Sequence, residues 1–221
     1  MAFDGLSVIV NPENDWVDYL TIDELHRIWM PDSEVHTWKD VRPEWPDRPI
    51  RLYGPDVDSG TFDYFTETVN GKSQVCRSDY TASADDNVLV TGIAGDVDGL
   101  GYFGYAYYVE NTERLKLVPI DGGTGPIAPS EETINNGTYA PLSRPLFIYV
   151  STTSGEREEV KEFVKFYLEN APQLAAEVGY VALPQEAYDL GWKRFTDGKT
   201  GSVFNTDLAK SGLSIVEVLS H

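Results

Sequence analysis

One cysteine, Cys76, and three histidines, His26, His36 and His221, stand in a chain of 221 residues. A single thiol excludes an intrachain disulfide, so cysteine pairing gives no compartment, and Cys76 reads as a passive core thiol. The histidines fall into no H-x-x-x-H spacing, and nowhere do the carboxylates take the glycine-centred, glutamate-ended order of a calcium loop. No metal site and no cofactor are expected. Basic residues are scarce as well, 17 Lys and Arg against 36 Asp and Glu, for a formal net charge of −19. That surface repels nucleic acid and anionic membranes, which argues against both as partners. No apolar run is long enough to span a bilayer, and the opening "MAFDGLSVIV" has neither the basic region nor the apolar length of a signal peptide. Internal repeats and low-complexity tracts are absent too.

What is present suffices for a buried core, with 41% of residues hydrophobic. "GLSVIVNP" reads as a strand from its β-branched run. In "YLTIDELHRIW" Thr21 and Glu24 have the spacing of a capping box, with Leu25, Ile28 and Trp29 on the core face. Residues 31–49, rich in Pro, Asp and Trp, predict a loop that packs Trp38 and Trp45 down. "PIRLYG" predicts a strand, residues 85–94 a helix, and "GYFGYAYY" a strand or buried segment. "RLKLVPI" reads as a strand, "PSEETINNG" as a short capped helix stopped by Gly137, and "RPLFIYV" as a strongly apolar strand. A long helix comes next, with Val160, Phe163, Val164, Tyr167, Leu168, Leu174 and Ala175 on one stripe and Pro172 as a kink or restart. "GYVALP" predicts a short strand, and the Gly-rich tail a final helix. Strands and helices alternate, which makes the class α/β.

Between a strand and a helix lies "DSGTFDYF", residues 58 to 65. Asp58 or Ser59 can cap the helix, while Phe62, Phe65 and Val69 form its apolar stripe. The first amides of a helix have no intrahelical partner and carry the positive end of its dipole. Two hydroxyls and a glycine at that point, Ser59, Gly60 and Thr61, make a cradle for an anion.

In order along the chain, "DGLSVIVNP", "LYGPDVDSGTFDYF", "DDNVLVTGI", "GLGYFGYAYY" and "YAPLSRPLFIYV" resemble the phosphate-binding proteins of ABC transporters, the PstS family and its SphX-like branch, and the likeness continues through "GYVALP" and "GKTGSVF". The resemblance implies a type II periplasmic-binding-protein fold. Two α/β lobes would be joined by crossover strands, with orthophosphate between them and lobe closure reporting to a membrane permease. It also implies a periplasmic or extracellular location. Family members carry a further segment ahead of "DGLSVIVNP" that builds most of the first lobe. On that basis residues 1–10 are expected as a crossover strand and 11–142 as the second lobe carrying the anion turn. Residues 143–221 are then the return crossover with the C-terminal part of an incomplete first lobe. Self-association through that lobe is a further expectation.

The resemblance carries phosphate contacts onto Ser59, Gly60 and Thr61. Many relatives place an arginine where this chain has Pro55, so the cationic clamp falls to Arg77 or, less directly, Arg51, each against the alternative of a surface ion pair. Arg144 is read as support for the crossover. Asp56 and Asp58 read first as loop and cap residues, with a second role as acceptors of a phosphate proton, which would discriminate against sulfate. Ser83 reads as a turn builder, and the aromatics of "GYFGYAYYVE" as core rather than as a sugar platform. The function expected is non-enzymatic binding of inorganic phosphate. The alternatives are a ligand-free domain acting in interaction or assembly, and a phosphoester hydrolase using Ser59 or Thr61. No G-x-S-x-G elbow or Ser-x-x-Lys supports the last of these.

Overall fold

The computed structural model describes residues 1–202 and 214–220. It divides into two compact units, one of Met1–Gly5 with Ser130–His221 and the other Leu6–Pro129. Strand β1 (Ala2–Val10) serves both: every residue is buried, as its run of branched side chains requires.

The Leu6–Pro129 unit continues through β2 (Leu20–Thr21), α1 (Ile22–Trp29), α2 (Trp38–Val41), β3 (Arg51–Pro55), α3 (Gly60–Asn70), β4 (Thr81–Ser83) and α4 (Asp86–Ala94), and then β5 (Gly99–Gly104), α5 (Tyr105–Val109), β6 (Lys116–Val118), β7 (Ile120–Asp121) and β8 (Pro126–Ile127). Its main sheet has the order β4-β3-β5-β1-β6. Strand β3 runs parallel to β4, with Pro55 opposite Ser83, and parallel to β5, with Tyr53 opposite Gly101. Strand β1 pairs antiparallel with β5 and β6. One core cluster joins Ile9 and Phe103 from the sheet to Leu89, Val90 and Ile93 of α4 and to Leu115. Gly101 lets α4 come close: a Cβ there would stand 2.6 Å from both the Tyr53 carbonyl oxygen and the Ile93 Cδ1.

In the other unit lie α6 (Glu131–Asn135), β9 (Ser143–Leu146), α7 (Thr152–Gly155), α8 (Glu158–Glu177), α9 (Gln185–Thr196) and α10 (Ile215–Ser220). Strand β9 pairs antiparallel with the first residues of β1, from Ala2 opposite Leu146 to Gly5 opposite Ser143. Arg144 faces Asp4 across that pair, Nη2 to Oδ2 at 3.0 Å. Helix α8 buries Val164, Leu168, Ala171 and Ala175. The Tyr188 hydroxyl ties α9 to the start of the chain, donating to the Met1 carbonyl at 2.9 Å and accepting from the Leu183 amide at 3.1 Å.

The capping box on α1 is present as the sequence predicts, Glu24 N–H to Thr21 Oγ1 at 3.1 Å and Thr21 N–H to Glu24 Oε2 at 2.8 Å. Several expectations are corrected. The loop 31–49 does bury Trp38 and Trp45, but it holds helix α2, capped by Thr37 with Asp40 completing a box. The run "GYFGYAYY" is strand only to Gly104 and then turns into α5, where Tyr107 and Val109 face solvent and Tyr108 packs on the core cluster. Of "RPLFIYV", only the part up to Leu146 is strand. On α8 the stripe is narrower than expected, because Phe163 and Leu174 are exposed, and the helix runs unbroken through Pro172. "GYVALP" contributes one bridge, Val181 to Phe3. The unit that begins at Leu6 ends at Pro129, and in the unit beyond it the Ser143 hydroxyl donates to the Tyr139 carbonyl at 2.6 Å. Part of "GKTGSVF", from 203 on, lies outside the described residues.

Gly101→Ala tests this packing. Because one obstructing atom is backbone, the added methyl cannot be accommodated by a rotamer change. The variant is expected to lose about 1–3 kcal/mol of stability in denaturant unfolding, whereas a loss below about 0.5 kcal/mol would contradict the close approach.

Candidate functional site

Strands β3 and β4 are parallel, so the loops leaving Pro55 and Ser83 emerge side by side at the carboxyl edge of the sheet. Each loop leads into a helix start, α3 at Gly60 and α4 at Asp86. Two positive dipole ends therefore open at one edge, the place where open α/β sheets hold ligands.

The turn of interest is built locally. Ser59 is the N-cap of α3 in an extended conformation, and its Oγ accepts from the Thr61 N–H at 3.2 Å. Its own N–H donates to the Asp56 carbonyl, also at 3.2 Å. The cap is thus Ser59 and not Asp58, which is exposed and donates its N–H to Asp56 Oδ1 at 3.2 Å. Gly60 is exposed and Thr61 half-buried, so the cradle residues reach the surface. Phe62 and Phe65 behind them are buried, as the stripe predicts.

Beneath the turn lies an aromatic floor that sequence reasoning missed. The Phe65 and Tyr102 rings stack with centroids 3.6 Å apart, and Trp29 meets both edge-on. Gly54 makes room for this, since a Cβ there would come within 3.0 Å of the Tyr102 ring. Tyr80 stacks on Phe62 and donates its hydroxyl to the Pro55 carbonyl at 3.1 Å, fixing the end of β3; burial pushes its phenol up to about 12. The signal available was Gly54 before Pro55, a glycine in a strand marking close approach.

The arginines put forward for a clamp are placed otherwise. Arg77 is buried, and its Nε and Nη2 hold both oxygens of Asp79 at 2.6 and 2.7 Å. Its Nη1 donates to the carbonyls of Ile28 and Val35, each at 2.9 Å. The guanidinium is spent on tying chain segments together, and it holds the Asp79 carboxyl down at about 2. Arg51 opens β3, at the end of the strand away from the turn, and is exposed. Asp56 serves the loop. Ser83 builds a turn, its hydroxyl donating to the Asp85 carbonyl at 3.1 Å and accepting from the Asp85 N–H at 3.0 Å. Among the described residues no group of three or more His, Cys, Asp or Glu is arranged to hold a metal ion.

At the neighbouring helix start, burial first and the Asp85 charge second push the Asp86 carboxyl up to about 6. A folded pKa above the unfolded value of 3.8 favours the fold below that value, and the contribution is lost as pH rises through about 6. Asp86→Asn should therefore gain stability relative to the parent between pH 4 and 7 and hold a constant difference above. Denaturant midpoints across that range check the sign, and a constant difference throughout would refute it.

Comparison with known proteins identifies relatives over nearly the whole chain. The family profile described as a PBP superfamily domain matches residues 1–171. Protein SphX of Synechocystis sp. is 49% identical over 222 residues, covering 99% of this chain and 66% of that protein. The phosphate-binding protein PstS of Staphylococcus saprophyticus is 40% identical over 190 residues, 85% of this chain and 58% of that one. A crystal structure described as a possible phosphate binding protein from Planctomyces limnophilus superposes with a TM-score of 0.84 at 48% identity, covering 90% of this chain and 71% of that one. The chain thus spans less than two thirds of the length of the two curated relatives.

Proposed function

Because this chain belongs to the PBP superfamily, as a PstS/SphX-like member with a type II α/β fold, we propose that it binds inorganic phosphate at the turn formed by Ser59, Gly60 and Thr61. The observation that carries this reading is the opening of α3 on Ser59 at the carboxyl edge of the parallel strands, beside the start of α4. The Ser59–Thr61 bond is a long neutral one at 3.2 Å. A phosphate oxygen, making charge-assisted bonds roughly twice as strong, takes the Thr61 amide from it and leaves the Ser59 hydroxyl to donate.

Binding rather than catalysis fits the serine: its oxygen accepts from an amide, and among the described residues no base is bonded to it. In this reading it delivers phosphate, on the outer side of the cytoplasmic membrane, to an ABC-transporter permease. Neutral dipoles hold the anion, and Arg77 and Asp58 take no direct part.

Calorimetric titration of the chain with phosphate tests this. Ser59→Ala and Thr61→Val are each expected to weaken binding roughly ten- to hundredfold, the worth of one hydrogen bond to a charged group, while Asp58→Asn leaves it within about threefold. If both turn variants bound phosphate like the parent, the anion would lie elsewhere.

A further inference from the structure

The dipeptide Asn-Gly occurs twice, at residues 70–71 and 136–137, and the two asparagines are held differently. Before a glycine, the next backbone nitrogen can reach the asparagine carboxamide, because no Cβ stands in the path. Asn70 is locked: its Nδ2 donates to the Trp29 and Val75 carbonyls at 3.2 and 2.7 Å, and His26 Nδ1 stands 3.1 Å from its Oδ1. Asn136, the C-cap of α6, is exposed together with Gly137 and Thr138. Its Oδ1 accepts from the Thr138 N–H at 3.0 Å and from the Thr138 hydroxyl at 2.6 Å, while its Nδ2 meets no acceptor among the described residues. Bonds from the residue two ahead fold the carboxamide over the Asn136–Gly137 peptide. Gly137 has a φ of +75°, with open space where a Cβ would stand, and its N–H makes one long bond, to the Ile134 carbonyl at 3.3 Å.

We propose that Asn136 is a site of spontaneous deamidation promoted by Thr138, and that Asn70 is protected from the same reaction. The Gly137 nitrogen, losing its proton to hydroxide, attacks Asn136 Cγ and forms a C–N bond. The carbonyl π pair moves onto Oδ1, where both Thr138 donors already converge, so the negative charge develops against groups placed to receive it. Collapse of that oxyanion restores the carbonyl and breaks the Cγ–Nδ2 bond, and the leaving nitrogen takes a proton from water and departs as ammonia. Water then opens the cyclic imide at either carbonyl, leaving aspartate or, with the main chain rerouted through Cγ, isoaspartate. No oxidant or reductant is needed. At Asn70 the attack would first have to break both bonds made by the leaving amide. The product at 136 sets a carboxylate at the negative end of α6, just before Tyr139, which is buried and donates its N–H to the Thr133 carbonyl at 2.9 Å. Asn136 belongs to the Ser130–His221 unit and the turn at 59–61 to the other, so this modification is separable from phosphate binding.

The test is ageing of the 221-residue chain in mildly alkaline buffer, followed by digestion and mass spectrometry of the peptides that carry residues 70 and 136. Aspartyl and isoaspartyl forms are expected to accumulate at 136, at a rate that rises with hydroxide and is at least about tenfold that at 70, where two hydrogen bonds must break first. In guanidinium chloride, where only the Asn-Gly sequence acts, the two rates should converge to within about threefold. Thr138→Val removes the hydroxyl donor and should slow the folded chain about three- to tenfold, the worth of one hydrogen bond. Thr138→Ser keeps the hydroxyl and should restore the parent rate. The comparison of 70 with 136 needs no variant, so it holds even if a substitution perturbs the loop. Equal rates at the two sites in the folded chain, modification at 136 only after unfolding, or Thr138→Val reacting as fast as the parent would each overturn the proposal.

Discussion

The parallel pairing of β3 with β4 and β5 is the constraint on which the candidate site depends. Parallel strands deliver their loops to one edge, and with Pro55 opposite Ser83 the two helices after them begin beside each other. Gly101 allows α4 to lie against β5, and Gly54 admits the Tyr102 ring under the end of β3. Tyr80, bonded to the Pro55 carbonyl, holds that end in place. An antiparallel partner in place of β4 would send its helix start to the opposite edge, and α3 would present its dipole alone.

A chain of net charge −19 is an unexpected host for an anion only if charge is counted over the whole surface. Screening limits exposed charges to about 8–10 Å in physiological salt, while helix-start amides and hydroxyls act at contact. Several arginines around this unit are meanwhile committed to carboxylates: Arg42 to Glu24 at 2.6 Å, Arg48 to Asp98 at 2.7 Å and Arg77 to Asp79 at 2.6 Å. They stabilise loops, and in the reading proposed above recognition falls to neutral donors. Partial charges fixed by the backbone need no counterion and cost nothing to orient when the ligand arrives.

Much of this is legible in the sequence. The Thr21–Glu24 box, the start of α4 and the helix after "DSGT" are local signals, set by cap chemistry within a few residues, and they appear where local rules put them. The role of the arginine is not legible, because spacing cannot tell a guanidinium aimed at a ligand from one buried against two carbonyls, as Arg77 is. Short aromatic runs defeat periodicity: "YAYYV" fits a strand or a helix, and packing of Tyr108 on the α4 core decides for helix. Local signals assign no element to α9, whose N-cap Pro184 supplies no side-chain bond and which carries Gly191 against Met1. In α2 the signal exists, Thr37 and Asp40 at box spacing, but it sits among prolines that read as loop. "FIYV" reads as strand from propensity alone, and its pairing depends on what lies beside it.

The central claim is that the amides opening α3 hold the anion, and nuclear magnetic resonance reads those amides directly. Adding phosphate to the ¹⁵N-labelled chain should move the Gly60 and Thr61 amide signals downfield along a saturable curve, with the largest changes in the spectrum at the starts of α3 and α4. Saturable phosphate binding that leaves Gly60 and Thr61 unmoved would contradict the account.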